Sequence, residues 1–214
     1  MSQVKGLCVM DVDGTLILEE VIDLLGREAG REEEISQLTS QAMQGELDFE
    51  SSLRKRVYLL EGLPVSVFEK VFDSIHLTPN AQEFISILQK NGILVGLVSG
   101  GFIPIVDRLA KSLGIAHFSA NQLEVKDGLL TGKLIGQIIS PEVKKETLEK
   151  WREELKLPQE RTVAIGDGAN DLLMLKSAGL GIAFCAKEVL KQEIPNHVDK
   201  MDFLEVLPLI DCLE

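Results

Sequence analysis

The fold is decided by the stretch Leu7-Cys8-Val9-Met10-Asp11-Val12-Asp13-Gly14-Thr15, an apolar run that ends in two carboxylates. A short apolar run of this kind predicts a buried β-strand. Alternate residues of an extended chain face the same way, so Asp11 and Asp13 can meet one ligand. In open parallel α/β sheets, ligands bind beyond the carboxyl ends of the strands. The pair therefore indicates a binding site at the end of this strand, although an Asp-Gly-Thr turn standing alone is as typical of an ordinary strand exit.

Three further apolar runs extend this strand into a sheet. They are Ile93 to Val98, Thr162 to Ile165 and Gly181 to Phe184. Helical segments alternate with them, and Pro79 and Pro141 mark two helix starts. Strands that alternate with helices predict an α/β fold with a Rossmann-like parallel sheet.

The segment between the first two strands is too long for a simple crossover connection. Its helical patterning predicts an inserted cap domain over residues 17-76, which leaves residues 1-16 and 77-214 to form the catalytic α/β core. Within the core, Asp127-Gly128 separates two strand-like stretches, Gln122 to Val125 and Leu129 to Ile135. This pattern predicts a small β-hairpin closed by a primed turn.

Charge and cysteine content exclude several classes of partner. The net charge of -12 at pH 7 argues against nucleic acid, whose phosphates are bound by clustered Lys and Arg. Cys8, Cys185 and Cys212 are odd in number and far apart, which indicates reduced thiols and a cytoplasmic location. No apolar run reaches the roughly 18 residues that span a bilayer, and the first residues lack a secretory pattern, so neither a membrane partner nor export is expected.

Small and acidic residues also follow the second and third strands. Ser99-Gly100-Gly101 offers a hydroxyl and backbone N–H groups to a phosphate oxygen, although a glycine-rich turn is the commoner meaning of such a segment. Asp167 and Asp171 place two more carboxylates at the end of the third strand. Carboxylates gathered in this way favour a hard cation such as Mg²⁺, whereas capping of the next helix by Asn170 or Asp171 is the structural alternative.

Two lysines precede the third strand. Lys144 and Lys145 lie on a predicted helix, and one of them could reach the carboxyl edge of the sheet. Paired lysines on a charged helix usually form a solvated face, and the sequence leaves both meanings open.

Taken together, these segments resemble the four motifs of the haloacid dehalogenase superfamily of phosphohydrolases. The motifs occur in the order Asp11 to Thr15, Ser99 to Gly101, Lys144, and Gly166 to Asp171. The chain also resembles the phosphoserine phosphatases of that superfamily almost from end to end, including the stretches Ser52 to Val57 and Ala178 to Lys187. Gly14 is a departure from the phosphoserine phosphatases, which usually carry Ser at this position. Glycine is common at this position in the wider superfamily, so the departure bears on substrate choice rather than on catalysis.

The resemblance implies hydrolysis of O-phosphoserine, the last step of serine biosynthesis, with Mg²⁺ as cofactor. Asp11 would attack phosphorus to give an aspartyl-phosphate, and Asp13 would act as general acid and then as general base. Lys144, Ser99 and the amide of Gly100 would hold the phosphoryl oxygens.

For the metal, the resemblance implies binding by Asp11, the backbone carbonyl of Asp13 and Asp167. Asp171 would orient the site from just outside, and Asn170 would contact phosphate or metal-bound water.

In the cap, the resemblance implies that Glu20 binds the ammonium of the substrate and Arg56 its carboxylate. Met43 and Phe49 would shield the site. Each has a simpler meaning: the charged pair could be solvated, and the apolar pair could belong to the core of the cap.

Two other functions stay open at this stage. A relative could act on another small phosphate ester or pass the phosphoryl group to an alcohol, as a phosphoserine:homoserine phosphotransferase does. The second open function is that of a receiver module, which is phosphorylated on an aspartate. Such a module would need neither Asp13 as an acid nor a helical insertion. The expected partner is a small-molecule substrate, and the chain is expected to be a monomer or a homodimer.

Overall fold

The computed structural model describes residues 4–43 and 46–210. Within this part, one sheet contains seven strands in the order β4-β3-β2-β1-β5-β6-β7. The strands are β1 (Gly6–Met10), β2 (Ile93–Phe102), β3 (His117–Lys126), β4 (Leu129–Ile135), β5 (Thr162–Gly166), β6 (Leu180–Phe184) and β7 (His197–Val198). Neighbouring strands are parallel except for the antiparallel pair β3 and β4. The predicted α/β fold is confirmed.

The strand that opened the sequence analysis lies in the middle of the sheet. β1 pairs with β2 on one side and with β5 on the other. All its residues are buried, because helices cover both faces of a parallel sheet. The apolar run therefore fills the core, and the polar residues after it emerge at the carboxyl edge.

Ten helices surround this sheet in the described part. They are α1 (Val21–Glu28), α2 (Glu32–Met43), α3 (Phe49–Tyr58), α4 (Val67–Phe72), α5 (Ala81–Lys90), α6 (Ile103–Ser112), α7 (Pro141–Glu154), α8 (Leu172–Ser177), α9 (Glu188–Glu193) and α10 (Leu207–Ile210). α7 begins as its sequence predicts: the Ser140 side chain accepts a hydrogen bond from the Val143 N–H, and Pro141 occupies the first turn. No described helix has both the length and the apolar character needed to cross a membrane.

The first four helices form a group between β1 and α5. They bury apolar residues among themselves, including Leu25, Ile35 and Val57. The chain enters and leaves this group through two segments that are hydrogen-bonded to each other. The N–H of Leu18 donates to the carbonyl of His76 at 3.0 Å, and the N–H of Thr78 donates to the carbonyl of Leu16 at 2.9 Å.

The predicted hairpin is present as β3 and β4. Asp127 and Gly128 both have positive φ, +52° and +79°, as a primed turn requires. β3 is longer than predicted, because its first half, beginning at His117, pairs with β2. β2 is also longer: the predicted end at Val98 is wrong, since the strand continues through Ser99-Gly100-Gly101 to the buried Phe102.

Candidate active site

A buried lysine and two aspartates form the floor of the site. The Nζ of Lys144 lies 2.7 Å from Asp11 Oδ1 and 2.7 Å from Asp171 Oδ1, and its side chain has no exposed surface. α7 supplies the lysine, and the chain segments after β1 and β5 supply the aspartates. Lys144 is thus part of the site and not of a solvated face, whereas Lys145 is 44% exposed and faces Glu149.

Opposing electrostatic effects act on this floor. Burial raises the pKa of Asp11 well above its usual range; the nearby Asp171 raises it further, and Lys144 lowers it. Burial alone would lower the pKa of Lys144, but Asp11 and Asp171 outweigh it and raise the pKa overall, which keeps the ammonium charged. The ammonium therefore stabilises the ionised form of Asp11 without fully offsetting its loss of hydration.

Asp13 points to different partners. Its Oδ1 accepts a hydrogen bond from the Val21 N–H at 2.8 Å, and its Oδ2 accepts one from the Ser99 hydroxyl at 2.9 Å. Burial raises the pKa of Asp13, although these hydrogen bonds to Val21 and Ser99 lower it in part. A carboxyl with a raised pKa can carry a proton closer to neutral pH, which suits a general acid.

The end of β2 lies close against Asp13. The Ser99 Oγ also accepts a hydrogen bond from the Gly101 N–H at 2.8 Å. A Cβ on Gly101 would lie 2.6 Å from Asp13 Oδ2, so the close approach requires glycine here. Ser99, Gly100 and Gly101 are thereby placed beside the two aspartates that follow β1.

The geometry also fits a divalent cation. Asp11, Asp167 and Asp171 each have a carboxylate oxygen within 4.8 Å of the others. Burial, followed by repulsion from Asp171, raises the pKa of Asp167 to about 6, although the Thr15 hydroxyl donates to Asp167 Oδ1 at 2.8 Å. The Lys144 ammonium offsets part of the negative charge of these three carboxylates. A hard cation with oxygen ligands would relieve the repulsion that remains among them.

Asp171 and Asp13 differ from Asp11 and Asp167 in how their carboxylates are placed for a metal. Asp171 belongs to the acidic group, but its Oδ1 faces Lys144 and its Oδ2 accepts a hydrogen bond from the Gly168 N–H at 3.1 Å. Both oxygens therefore have protein partners, which fits the expected role just outside the metal. Asp13 was expected to contribute its backbone carbonyl, and its carboxylate lies outside the acidic group.

The backbone conformation explains why residue 14 is glycine. Its φ is +70°, in the left-handed region that favours glycine, and a Cβ there would lie 3.0 Å from Asp167 Oδ2. Glycine therefore lets the turn after Asp13 close against Asp167 without strain.

The helical group brings some of its predicted residues to the site. The end of the Phe49 ring lies 3.7 Å from the position that a Cβ on Gly100 would take, so the start of α3 lies close to the end of β2. Glu20 is exposed by its surface area, yet nearby protein atoms limit its hydration. This desolvation, with repulsion from Asp13, raises the pKa of Glu20 to about 8, and Arg56 opposes the shift. Glu20 and Arg56 are therefore near enough to interact.

The remaining predicted residues are less well placed. Arg56 is half-buried, and among the described residues its hydrogen bonds are long, from Nε to the Ser52 carbonyl at 3.4 Å and from Nη1 to the Thr39 hydroxyl at 3.5 Å. Asn170 is half-buried, with its Oδ1 beside Gly168. The Met43 side chain lies outside the described residues.

One buried polar residue escaped the sequence analysis. Asn121, on β3, is 1% exposed and hydrogen-bonds the backbone of Gly100 and of Ile139. The available signal was an asparagine inside a strand, where this residue type is disfavoured.

Comparisons with known proteins agree with this geometry. A family model described as haloacid dehalogenase-like hydrolase matches residues 6–179. A phosphoserine phosphatase of Streptococcus thermophilus is 52% identical over 211 residues, which cover 99% of this chain and 98% of the relative. A solved phospho-aspartyl intermediate analogue of phosphoserine phosphatase superposes with a TM-score of 0.90 at 46% identity, covering 95% of this chain and 98% of the other. A substrate-bound phosphoserine phosphatase complex superposes with a TM-score of 0.90 at 45% identity, covering 95% and 97%.

Proposed function

Because this chain belongs to the haloacid dehalogenase-like hydrolases, and within them to the phosphoserine phosphatase family, we propose that it hydrolyses O-phosphoserine with the aid of Mg²⁺. The products would be serine and phosphate, and the reaction would be the last step of serine biosynthesis, in the cytoplasm. The observation that carries the proposal is the buried Lys144–Asp11 pair, with Asp13 held separately by Ser99. The arrangement offers a nucleophile, a proton donor and a positive charge for the phosphoryl group.

Asp11 and Asp13 would divide the reaction into two displacements. A carboxylate oxygen of Asp11 forms a bond to phosphorus while the bond from phosphorus to the serine oxygen breaks, and Asp13 gives that oxygen its proton. In the second step, water attacks phosphorus and the bond from phosphorus to the Asp11 oxygen breaks, which releases phosphate and restores the Asp11 carboxylate. Asp13, now ionised, takes the proton from that water. The raised pKa of Asp13 supports this alternation, because the carboxyl then holds its proton closer to neutral pH than an ordinary aspartate does.

The phosphoryl oxygens need positive or hydrogen-bonding partners in both steps. Lys144 supplies the charge, while the Ser99 hydroxyl and the Gly100 N–H supply neutral donors. Asn170, half-buried beside Gly168, would contact the phosphoryl group from the other side. Lys144 also keeps Asp11 from repelling the incoming anion.

Mg²⁺ would be held by Asp11, the backbone carbonyl of Asp13 and Asp167, with Asp171 orienting the site. When bound, it would neutralise charge on the phosphoryl oxygens and hold substrate and nucleophile in register. The closeness of the Asp11 and Asp167 carboxylates and the raised pKa of Asp167 support these two ligands.

Residues 17-76 would act as a cap that selects the substrate. Glu20 would bind the ammonium of phosphoserine and Arg56 its carboxylate, which is supported by the attraction between the two side chains. Phe49, whose ring lies close to Gly100, would shield the site from water together with Met43.

The proposal is tested by Mg²⁺-dependent phosphate release from phosphoserine and by trapping the intermediate. Acid-quenched protein from ³²P-labelled phosphoserine should carry alkali-labile phosphate, and Asp11→Asn should abolish both label and turnover. Asp107→Asn, a surface change, is the matched control and should retain both. Persistent labelling of the Asp11 variant would exclude Asp11 as nucleophile, and phosphohomoserine formed on adding homoserine would indicate a phosphotransferase instead.

A further inference from the structure

β2 and β3 go out of register beside the active site. Gly96 to Val98 pair in turn with His117 to Ser119, but the next pair is Phe102 with Asn121. Three residues of β2, Ser99 to Gly101, therefore stand opposite the single residue Ala120. The ladder cannot satisfy every backbone group of such an excess segment, so buried groups there need other partners.

Asn121 provides one of these partners. Its Nδ2 donates to the carbonyl of Gly100 at 2.8 Å, and its Oδ1 accepts from the N–H of Ile139 at 2.9 Å. A carboxamide can donate with one atom and accept with the other while remaining uncharged. It can thus join these two backbone groups without adding to the negative charge of the site.

The second bond leads to the helix that carries the lysine. Ile139 is followed by Ser140, whose side chain caps the start of α7. The carbonyl of Ser140 accepts the N–H of Lys144 at 2.9 Å. A continuous series of contacts therefore runs from the Gly100 peptide through Asn121 to the first turn of α7.

We propose that Asn121 is a positioning residue. By holding the Gly100 carbonyl it restrains the peptide unit that joins Gly100 to Gly101, and this restraint on the Gly100 backbone keeps the adjoining N–H of Gly100 facing the phosphoryl group, in a fixed position relative to Lys144. The inference rests on the proposed function, which makes Gly100 and Lys144 phosphate ligands. Glycine has wide conformational freedom, so the Gly100 peptide needs an external constraint. Asn121 supplies that constraint without touching the substrate.

The test compares Asn121→Asp with a matched control. The carboxylate keeps the size of the side chain and can accept from Ile139, but when ionised it cannot donate to the Gly100 carbonyl. Thr162→Val is the control: Thr162 is also fully buried and joins two backbone groups, donating to Gln159 at 2.6 Å and accepting from Gly179 at 2.9 Å. It lies at the start of β5, away from the carboxyl edge.

Three quantities are measured for parent and variants: the Kd of inorganic phosphate with Mg²⁺ by calorimetry, kcat and KM for phosphoserine, and Tm. N121D should weaken phosphate binding roughly 10-fold or more, as expected when the hydrogen bond from the Gly100 N–H to the charged phosphate is lost. KM should rise by a similar factor and kcat should change less, because the Gly100 N–H contacts the phosphoryl group before and during reaction. T162V should lower Tm while leaving the Kd and KM unchanged.

Phosphate affinity and KM of N121D within twofold of the parent would overturn the inference, as would equal losses in T162V. If N121D does not fold, Asn121→Ser, which also removes the donor to Gly100, is measured against the same limits. A parent that does not bind phosphate would also overturn it, because Gly100 would then not be a phosphate ligand. A parent that binds phosphate but does not hydrolyse phosphoserine would contradict the proposed function alone, and the phosphate Kd would still decide the role of Asn121.

Discussion

Replacing Lys144 with methionine should weaken the fold as well as stop catalysis. The ammonium is fully buried and lies 2.7 Å from both Asp11 and Asp171, whereas methionine fills similar space without charge. Removing one member of a buried ion pair typically costs about 3 to 5 kcal/mol, because the remaining charge stays buried without a partner. We expect urea denaturation in chelator to show a loss of this size in the free energy of unfolding, and Mg²⁺ to restore part of it.

Two further variants make this reasoning refutable. Lys145→Met removes a charge from the next residue of the same helix, but that side chain is 44% exposed and its Nζ lies 3.7 Å from Glu149. It should therefore change stability by less than about 1 kcal/mol, as exposed pairs do, and keep phosphoserine turnover. Combining Lys144→Met with Asp171→Asn should recover stability, because one unpaired carboxylate is removed. A loss below about 1 kcal/mol for Lys144→Met, against the 3 to 5 expected, would refute the buried-charge argument.

Three other predictions follow from the site. Arg56→Ala should lower kcat/KM for phosphoserine by roughly 30-fold or more, since loss of one member of a buried charge pair costs about 2 to 5 kcal/mol, and Glu20→Gln should also impair it. Both variants should hydrolyse para-nitrophenyl phosphate like the parent, and equal losses on both substrates would point to a misfolded cap. In metal-free protein, the free energy of unfolding should fall as pH rises from about 4 to 6. The cause is that the folded state binds the Asp167 proton more tightly than the unfolded state does, and this difference stabilises the protein at low pH by about 3 kcal/mol. Asp167→Asn should make that slope shallower in denaturation curves at several pH values, while Asp11, Asp13 and Glu20, whose pKa values are also raised, keep part of it. An unchanged slope would show that Asp167 does not contribute to it. Chelator should stop activity, Mg²⁺ should restore it, and Ca²⁺ should restore it poorly because its coordination is larger and looser; full activity in excess chelator would contradict the metal site.

The strands with the strongest apolar patterns could be predicted, and others could not. β1, β5 and β6 are short apolar runs buried in the sheet, and that pattern identified them. The first half of β3, His117 to Asn121, is largely polar, and its pairing with β2 depends on contacts distant in sequence. The same pairing carries β2 past Val98, so the glycines that suggested a turn lie within a strand.

Some residues of the site could also be predicted from the sequence, and others could not. Acidic residues at strand ends could be predicted to meet, because parallel strands share one carboxyl edge. The choice between Lys144 and Lys145 was left open, yet Lys144, Leu148 and Trp151 repeat at helical spacing and form the buried face of α7. Asn121 was missed because its partners are backbone groups, whose positions depend on the register of two strands.

The paired segments at residues 16–18 and 76–78 have an evolutionary consequence. The helical group begins and ends at adjacent points in space. An inserted segment whose two ends lie this close together can be exchanged as a whole for another one. A different insert could replace it without breaking the sheet or moving Asp11, Lys144 or Asp167. New substrate preferences could then arise by exchange of one insert, provided that the new insert supplies a donor to Asp13 in place of the Val21 N–H.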